Sequence, residues 1–302
     1  MIKLFKLTVS KVKNEGLIKT FISILKFIGL KSKKINLDKI KLKKFLNLDE
    51  LFLRFGTDKG FLDGKKTFYI LSKKKNLRKI FRNYEEWILR ENLYDYDYEV
   101  GHNYTPTYEK YFEKIKDKNL NILEIGVAGG HSIASWYKYF VNSKIYGIDI
   151  REPNTVLYEG KRFEYHKIDC TDITQVNYFK NKKIKFDVII DDSLHDYDGF
   201  IGNIKNFFPL LNEGGIFFLE DFKPKDERLI KVREYNKKVK RNIVFGSNQT
   251  MHEIFNNLNN KVFFENLYIS KDEQKYLHDN VKNIEIVYND HPFSSIAIIE
   301  KN

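Results

Sequence analysis

The 302 residues, 42% of them apolar, suffice for one sizeable α/β core with appendages. A single cysteine, Cys170, excludes an internal disulfide framework and fits a reducing cytoplasm, and the sequence has no run of 18 apolar residues to span a membrane. The net charge of +12 is lopsided: residues 1–45 hold 13 Lys against Glu15 and Asp38, a surplus of eleven, which leaves the rest nearly neutral and argues against a nucleic-acid partner.

In chain order, residues 16–30 place Leu17, Phe21, Ile24 and Ile28 at helical spacing, with Lys19 and Lys26 on the other side. Such a basic amphipathic helix can rest on anionic lipid, each nearby Lys contributing about 1 kcal/mol. It can equally pack on the core or on another subunit, which is the commoner outcome, so peripheral membrane contact and a homo-oligomer are both open. Lysines interrupt every candidate apolar core of a secretory signal.

Residues 39–55 read as a second short helix running into Phe55-Gly56-Thr57-Asp58-Lys59-Gly60, where Thr57 or Asp58 can cap a turn. Over 61–100, Trp87, Tyr94, Tyr96 and Tyr98 alternate with Glu91, Asp95, Asp97 and Glu99. That pattern suits a carbohydrate surface, a lid or subunit interface, or an edge strand. A helix is expected over 104–115, with Thr105 as its cap before Pro106.

The core opens at Asn121-Ile122-Leu123-Glu124-Ile125-Gly126-Val127-Ala128-Gly129-Gly130, a strand buried on both faces and a glycine turn, followed by a helix over 131–140. Glycines let the backbone approach a ligand, and a helix N-terminus offers free N–H groups to an anion. Further strands over 144–150, 163–168, 186–190 and 215–219 end at Asp149, Asp169, Asp191-Asp192 and Glu220-Asp221. Any one of these acids can be a helix cap. Together with Glu124 on the first strand, five successive strands instead place carboxylates along the C-terminal edge of one parallel sheet, where ligands of open α/β sheets bind. Asp149 there suits ribose hydroxyls, and Asp169 an adenine amino group. Residues 225–241 form a charged helix, and 284–287 and 295–299 two final strands joined by a turn.

The stretches LEIGVAGG, IYGIDI, KIDCTD, DVIIDDSLH and GGIFFLED, in that order, resemble a class I S-adenosylmethionine-dependent methyltransferase. Within that class the chain is similar to the metal-dependent macrolide-sugar O-methyltransferases and the cephalosporin hydroxylase-like group. GTDKG and His102-Asn103-Tyr104 to Tyr108-Glu109 extend the similarity upstream, although some 40 residues separate the two pieces. The resemblance implies a Rossmann-like seven-stranded sheet, parallel but for an antiparallel last strand, flanked by helices and preceded by a helical N-terminal extension. The expected divisions are a basic extension at 1–45, an auxiliary or lid region at 46–118 and an S-adenosylmethionine-binding domain at 119–302.

Carried over by that resemblance, Glu124, Gly126, Gly130, Asp149, Asp169 and Tyr104 would bind the cofactor. Asp192, Glu220 and Asp221 would hold Mg²⁺, and His195 would be the base. A sugar hydroxyl is a weak acid, and a Lewis acid beside it lowers its pKa and fixes its direction. The expected enzyme methylates a sugar of a surface polysaccharide or glycosylated metabolite in the cytoplasm, at the inner face of the membrane if residues 1–45 bind lipid. The alternatives are a nicotinamide-dependent oxidoreductase, against which the Glu124 to Gly130 register and the terminal strand pair speak, and a non-catalytic scaffold of the same fold.

Overall fold

Seven of the apolar runs line up as one mixed sheet in the computed structural model, which describes residues 34–42, 46–63, 99–195, 197–222, 249–289 and 295–302. The strands are β1 (Asn121–Ile125), β2 (Lys144–Asp149), β3 (Phe163–Lys167), β4 (Phe186–Asp191), β5 (Leu211–Glu220), β6 (Val281–Tyr288) and β7 (Ser295–Lys301). Their spatial order is β3-β2-β1-β4-β5-β7-β6. The five from β3 to β5 run parallel, and β7 is antiparallel to both its neighbours. This is the sheet that the resemblance implies. The chain divides into two compact units, Met1–Ile35 and Asn36–Asn302, and the sheet lies wholly in the second. The amphipathic 16–30 helix, the aromatic-rich stretch over 64–98 and the 225–241 helix lie outside the described residues.

Alternate residues of each strand point to opposite faces, and both faces are covered. Leu123, Ile125, Phe217 and Leu219 join a core with α4 (Ile173–Asn181), α5 (Tyr197–Phe207), α6 (Met251–Asn259) and α7 (Lys271–Asn280). On the other face lie α1 (Leu48–Phe55), α2 (Thr105–Phe112) and α3 (His131–Tyr139). There the Phe218 ring packs 4.9 Å from Tyr108 and 5.1 Å from Phe112, and Trp136 stands edge-on to Phe52, Tyr108 and Phe112. Glu124 and Glu220, in register with the residues of this face, therefore project toward α1, α2 and α3.

Helix α1 has an Asn47 and Glu50 capping box and stops at Gly56, whose φ is +76°. Its apolar side, Leu48, Leu51, Phe52 and Phe55, is buried. Helix α2 differs from expectation at its start. Thr105 does not cap it: Tyr104 holds that position without a side-chain cap, and the Thr105 hydroxyl donates to Asp49 at 2.9 Å. That bond ties α2 to α1 across the interval that 64–98 occupies in sequence.

Candidate active site

A cavity of about 950 Å³ opens at the C-terminal edge of β1, β2, β3 and β4. Gly126 forms its floor with φ at +91°, and a Cβ there would meet the Asp192 carbonyl oxygen at 2.1 Å. Only glycine lets the two strand tips close so tightly. Asp149 accepts from the Ala128 and Arg151 amides at 2.8 and 3.0 Å, and Asp169 from Thr171 N at 2.9 Å. These bonds fix both carboxyls at the cavity wall. Gly56, Thr57 and Asp58 close it from the loop after α1.

Of the residues expected at a cofactor, Gly126, Asp149 and Asp169 line this cavity. Glu124, Gly130 and Tyr104 do not. Glu124 is fully buried on the α1 to α3 face, accepts from Ser132 Oγ at 2.8 Å and is pushed up to about 7 by burial, against the pull of Lys59. Gly130 is the N-cap of α3, turned toward Val156 and Tyr158. The Tyr104 hydroxyl donates to Asp221 and to the Ser295 carbonyl, the latter at 3.1 Å.

At one wall of the cavity, over the tips of β4 and β5, Asp192, His195 and Asp221 each bring a donor atom to within 4.8 Å of the other two, and Asp192 and His195 line the cavity. His195 Nε2 is 3.4 Å from Asp192 Oδ1, and Nδ1 is 4.0 Å from Asp221 Oδ2. His195 and Asp221 both hold positive φ, +48° and +57°, a conformation that costs a non-glycine residue about 1 kcal/mol or more and clusters at functional sites. Two half-buried carboxylates with an exposed imidazole beside them fit Mg²⁺ or Mn²⁺ with positions left for water or an acceptor.

Glu220, expected as a further ligand, stays outside this trio. Its oxygens are taken by the Lys59 ammonium and the Tyr108 hydroxyl, and burial raises its pKa well above the usual carboxylate range. Asp192 is raised by burial, which Lys59 partly offsets. Burial also works to raise Asp221, but His102, bonded to it at 2.9 Å, and Tyr104 hold it low.

Asp191 serves the fold. It accepts from Ser193 Oγ at 2.6 Å and Asn203 Nδ2 at 2.9 Å, with burial pushing it up to about 6. It pins the loop that carries Asp192 and His195. Lys59, His102 and Tyr108 carried no expected role, although they sit within GTDKG and the His102 to Glu109 segment. His131 also lines the cavity and bonds through Nδ1 to the Phe55 carbonyl at 2.8 Å.

No protein-family model matches the chain. Over 127 residues it is 30% identical to 8-demethyl-8-alpha-L-rhamnosyl tetracenomycin-C 2'-O-methyltransferase of Streptomyces olivaceus, covering 40% of this chain and 33% of that protein. It is 28% identical to mycinamicin VI 2''-O-methyltransferase of Micromonospora griseorubida over the same length, 40% of this chain and 31% of the relative. The match thus spans about a third of the length of these curated relatives. Among solved structures, MycE methyltransferase in complex with Mg and SAH superposes with a TM-score of 0.54 at 20% identity, over 86% of this chain and 55% of that one. The same enzyme with Mg, SAH and mycinamycin VI gives 0.52 at 18%, over 98% and 63%. The fold is that of the class I methyltransferases.

Proposed function

We propose that the chain is an S-adenosylmethionine-dependent O-methyltransferase that methylates a sugar hydroxyl, on a glycosylated metabolite or a surface polysaccharide, with a divalent cation. One observation carries this reading: Asp192 and His195 belong both to the wall of the cavity and to the cation trio. A methyl donor and an activated hydroxyl would therefore meet at a single edge of the sheet.

In this reading Asp149 and Asp169 hold the donor's ribose and adenine, while the Gly126 turn seats the sulfonium end. Asp192 and Asp221 hold the cation, which would supply Lewis acidity to the acceptor hydroxyl and fix its direction. His195, its two ring nitrogens facing Asp192 and Asp221, keeps a fixed orientation and takes the hydroxyl proton as the oxygen attacks the methyl carbon. The S–CH₃ bond breaks as the O–CH₃ bond forms, and the donor leaves as the neutral thioether. Residues 46–118 act as a wall and lid, of which Gly56, Thr57 and Asp58 already border the cavity. The basic 1–45 extension would hold the enzyme at anionic lipid on the cytoplasmic face, which liposome flotation with and without those residues checks.

The test is incubation with labelled S-adenosylmethionine and a panel of glycosides, nucleotide sugars and envelope glycans, read by mass. Methylated sugar that disappears in a folded, cofactor-binding His195→Ala variant is the expected result. Turnover retained within a few-fold by that variant removes His195 as the base. The nicotinamide reading predicts dinucleotide binding instead, and the antiparallel β7 stands against it.

A further inference from the structure

Methyl transfer runs in line, with sulfur, methyl carbon and attacking oxygen on one axis, so the acceptor must approach from the side opposite the donor. The donor cavity lies over the tips of β1 to β4, and Asp192, His195 and Asp221 stand at its wall over β4 and β5. The acceptor therefore lies past Asp221, over the remaining tips of the same sheet edge. Strand β7 runs antiparallel to β5 and starts at this edge with Ser295, and β6 ends there with Tyr288, which pairs in register with Ser295. The Asp221 amide donates to the Ser295 carbonyl at 2.8 Å. Asp221 and Tyr288 are thus two strand spacings apart, about 10 Å between backbones. A sugar ring with one hydroxyl near Asp221 can bridge that span.

Tyr288 is 46% exposed, although Phe222, on which its ring packs at 6.2 Å, is fully buried. Phe222 follows Asp221 directly in the chain and packs in turn on Phe255 of α6 at 5.2 Å. His252, also of α6, lies 6.1 Å from the Tyr288 ring at 27° and is hydrogen-bonded through Nδ1 to its hydroxyl. Asn289, the next residue, donates to the His102 and Asn103 carbonyls at 2.8 and 3.0 Å, and His102 is bonded to Asp221. The ring is therefore tied to Asp221 by two routes, through Phe222 and through Asn289. None of Tyr288, His252 and Phe222 lines the donor cavity. With its hydroxyl engaged by His252, the tyrosine offers ring surface outward. An aromatic face carries partial negative charge, which attracts the slightly positive C–H groups on the apolar face of a sugar ring.

We infer that Tyr288, held in place by His252 and Phe222, is the platform on which the acceptor's sugar ring lies while one of its hydroxyls reaches the cation held by Asp192 and Asp221. The inference rests on reading the chain as a sugar O-methyltransferase and adds where the acceptor binds and by which contact. A tyrosine that only covers Phe222 at the edge of the sheet makes a different prediction, since any apolar side chain of similar size would serve there.

The experiment compares the full wild-type chain with Tyr288→Phe, which keeps the aromatic face, and Tyr288→Leu, which keeps the apolar cover but not the face. Methyl glycosides of rhamnose, glucose and galactose are the probes, with Mg²⁺ and S-adenosylhomocysteine present. Saturation-transfer NMR, irradiating the aromatic protons, reads contact with the sugar C–H groups, and initial rates with S-adenosylmethionine give KM for the glycoside. The expected result is saturation of the ring protons of at least one glycoside by the wild type and by Tyr288→Phe, and its loss in Tyr288→Leu. KM for that glycoside should rise about tenfold or more in Tyr288→Leu and stay within a few-fold in Tyr288→Phe. Melting temperature and affinity for S-adenosylhomocysteine should remain those of the wild type in both. A Tyr288→Leu variant that keeps the saturation signal and the wild-type KM overturns the platform and leaves methyl transfer to a sugar standing. A wild type that neither contacts nor methylates any glycoside overturns the sugar reading itself, and the platform falls with it.

Discussion

Replacing Gly126 by alanine would separate the two strand tips on which the site depends. The new Cβ would lie 2.1 Å from the Asp192 carbonyl oxygen, 2.7 Å from its carbonyl carbon and 2.9 Å from Ser193 Cα, all backbone atoms that no side-chain rotation can clear. The tip of β4 must therefore withdraw by more than an ångström. The φ of +91° adds backbone strain, worth ~1–2 kcal/mol for a residue with a Cβ. Overpacking costs another ~1–3 kcal/mol, so the variant should lose roughly 2–5 kcal/mol. A displacement of this size also misplaces Asp192 and His195, and a shift of about 1 Å in a catalytic geometry costs about 100-fold in rate. Urea unfolding followed by circular dichroism gives the stability, and calorimetric titration with S-adenosylhomocysteine gives the cofactor affinity. Gly202, within α5, has nothing within 4 Å of an added Cβ; Gly202→Ala should stabilise by about 0.5–1 kcal/mol. A Gly126→Ala variant that loses less than about 0.5 kcal/mol and binds the cofactor normally would refute the reasoning.

Cys170 provides a chemical probe of the same cavity, because it is the chain's one cysteine and its thiol is pushed up to about 11 by burial and by Asp191. Alkylation of the native protein by iodoacetamide should be slow at pH 8 and accelerate only as the pH approaches 11, and S-adenosylhomocysteine should slow it further; a rate midpoint near the usual ~8.5 of a free thiol contradicts this. Asn203→Leu removes a partner of the buried Asp191 carboxyl and should cost about 1–3 kcal/mol at pH 8. Burial has raised Asp191 to about 6 in the fold, so at pH 5 the carboxyl is mostly protonated; the charged form that suffers from the missing partner appears only above that, and the loss measured by urea unfolding should grow from pH 5 to pH 8. A loss that shrinks with rising pH would contradict the assignment of Asp191 as a buried structural acid.

The parallel part of the sheet was legible because its strands, most of them short apolar runs, each lead into an acid, a pattern that survives without knowledge of its neighbours. Strand ends moved only slightly, as in β5, which begins at Leu211 ahead of the Gly214-Gly215 pair and not after it. All three residues of the trio were expected, Asp192 and Asp221 as metal ligands and His195 as base, but on the family resemblance of Asp191-Asp192-Ser193-Leu194-His195 and Glu220-Asp221, not on spacing alone. Lys59, His102 and Tyr108 were not, since each acts on a partner more than 100 residues away. Nothing local distinguishes a buried lysine in a glycine loop from a solvated one. Glu124 is a different case. Its position two residues from Ile122 along β1 puts it on the face toward α1 and α3, so strand alternation alone could have shown that it points away from the cavity. Thr105 was taken for a cap because Pro106 follows it, whereas its hydroxyl serves a contact to Asp49 that only the tertiary structure supplies.

The most direct test is the initial rate of methyl transfer to an accepted glycoside after removal of divalent ions, in the wild type and in Asp221→Asn. If Asp192 and Asp221 hold the cation that readies the hydroxyl for His195, EDTA abolishes transfer by the wild type, Mg²⁺ or Mn²⁺ restores it, and Asp221→Asn binds the cofactor but recovers only at far higher ion concentration. Transfer that proceeds unchanged in EDTA would contradict it.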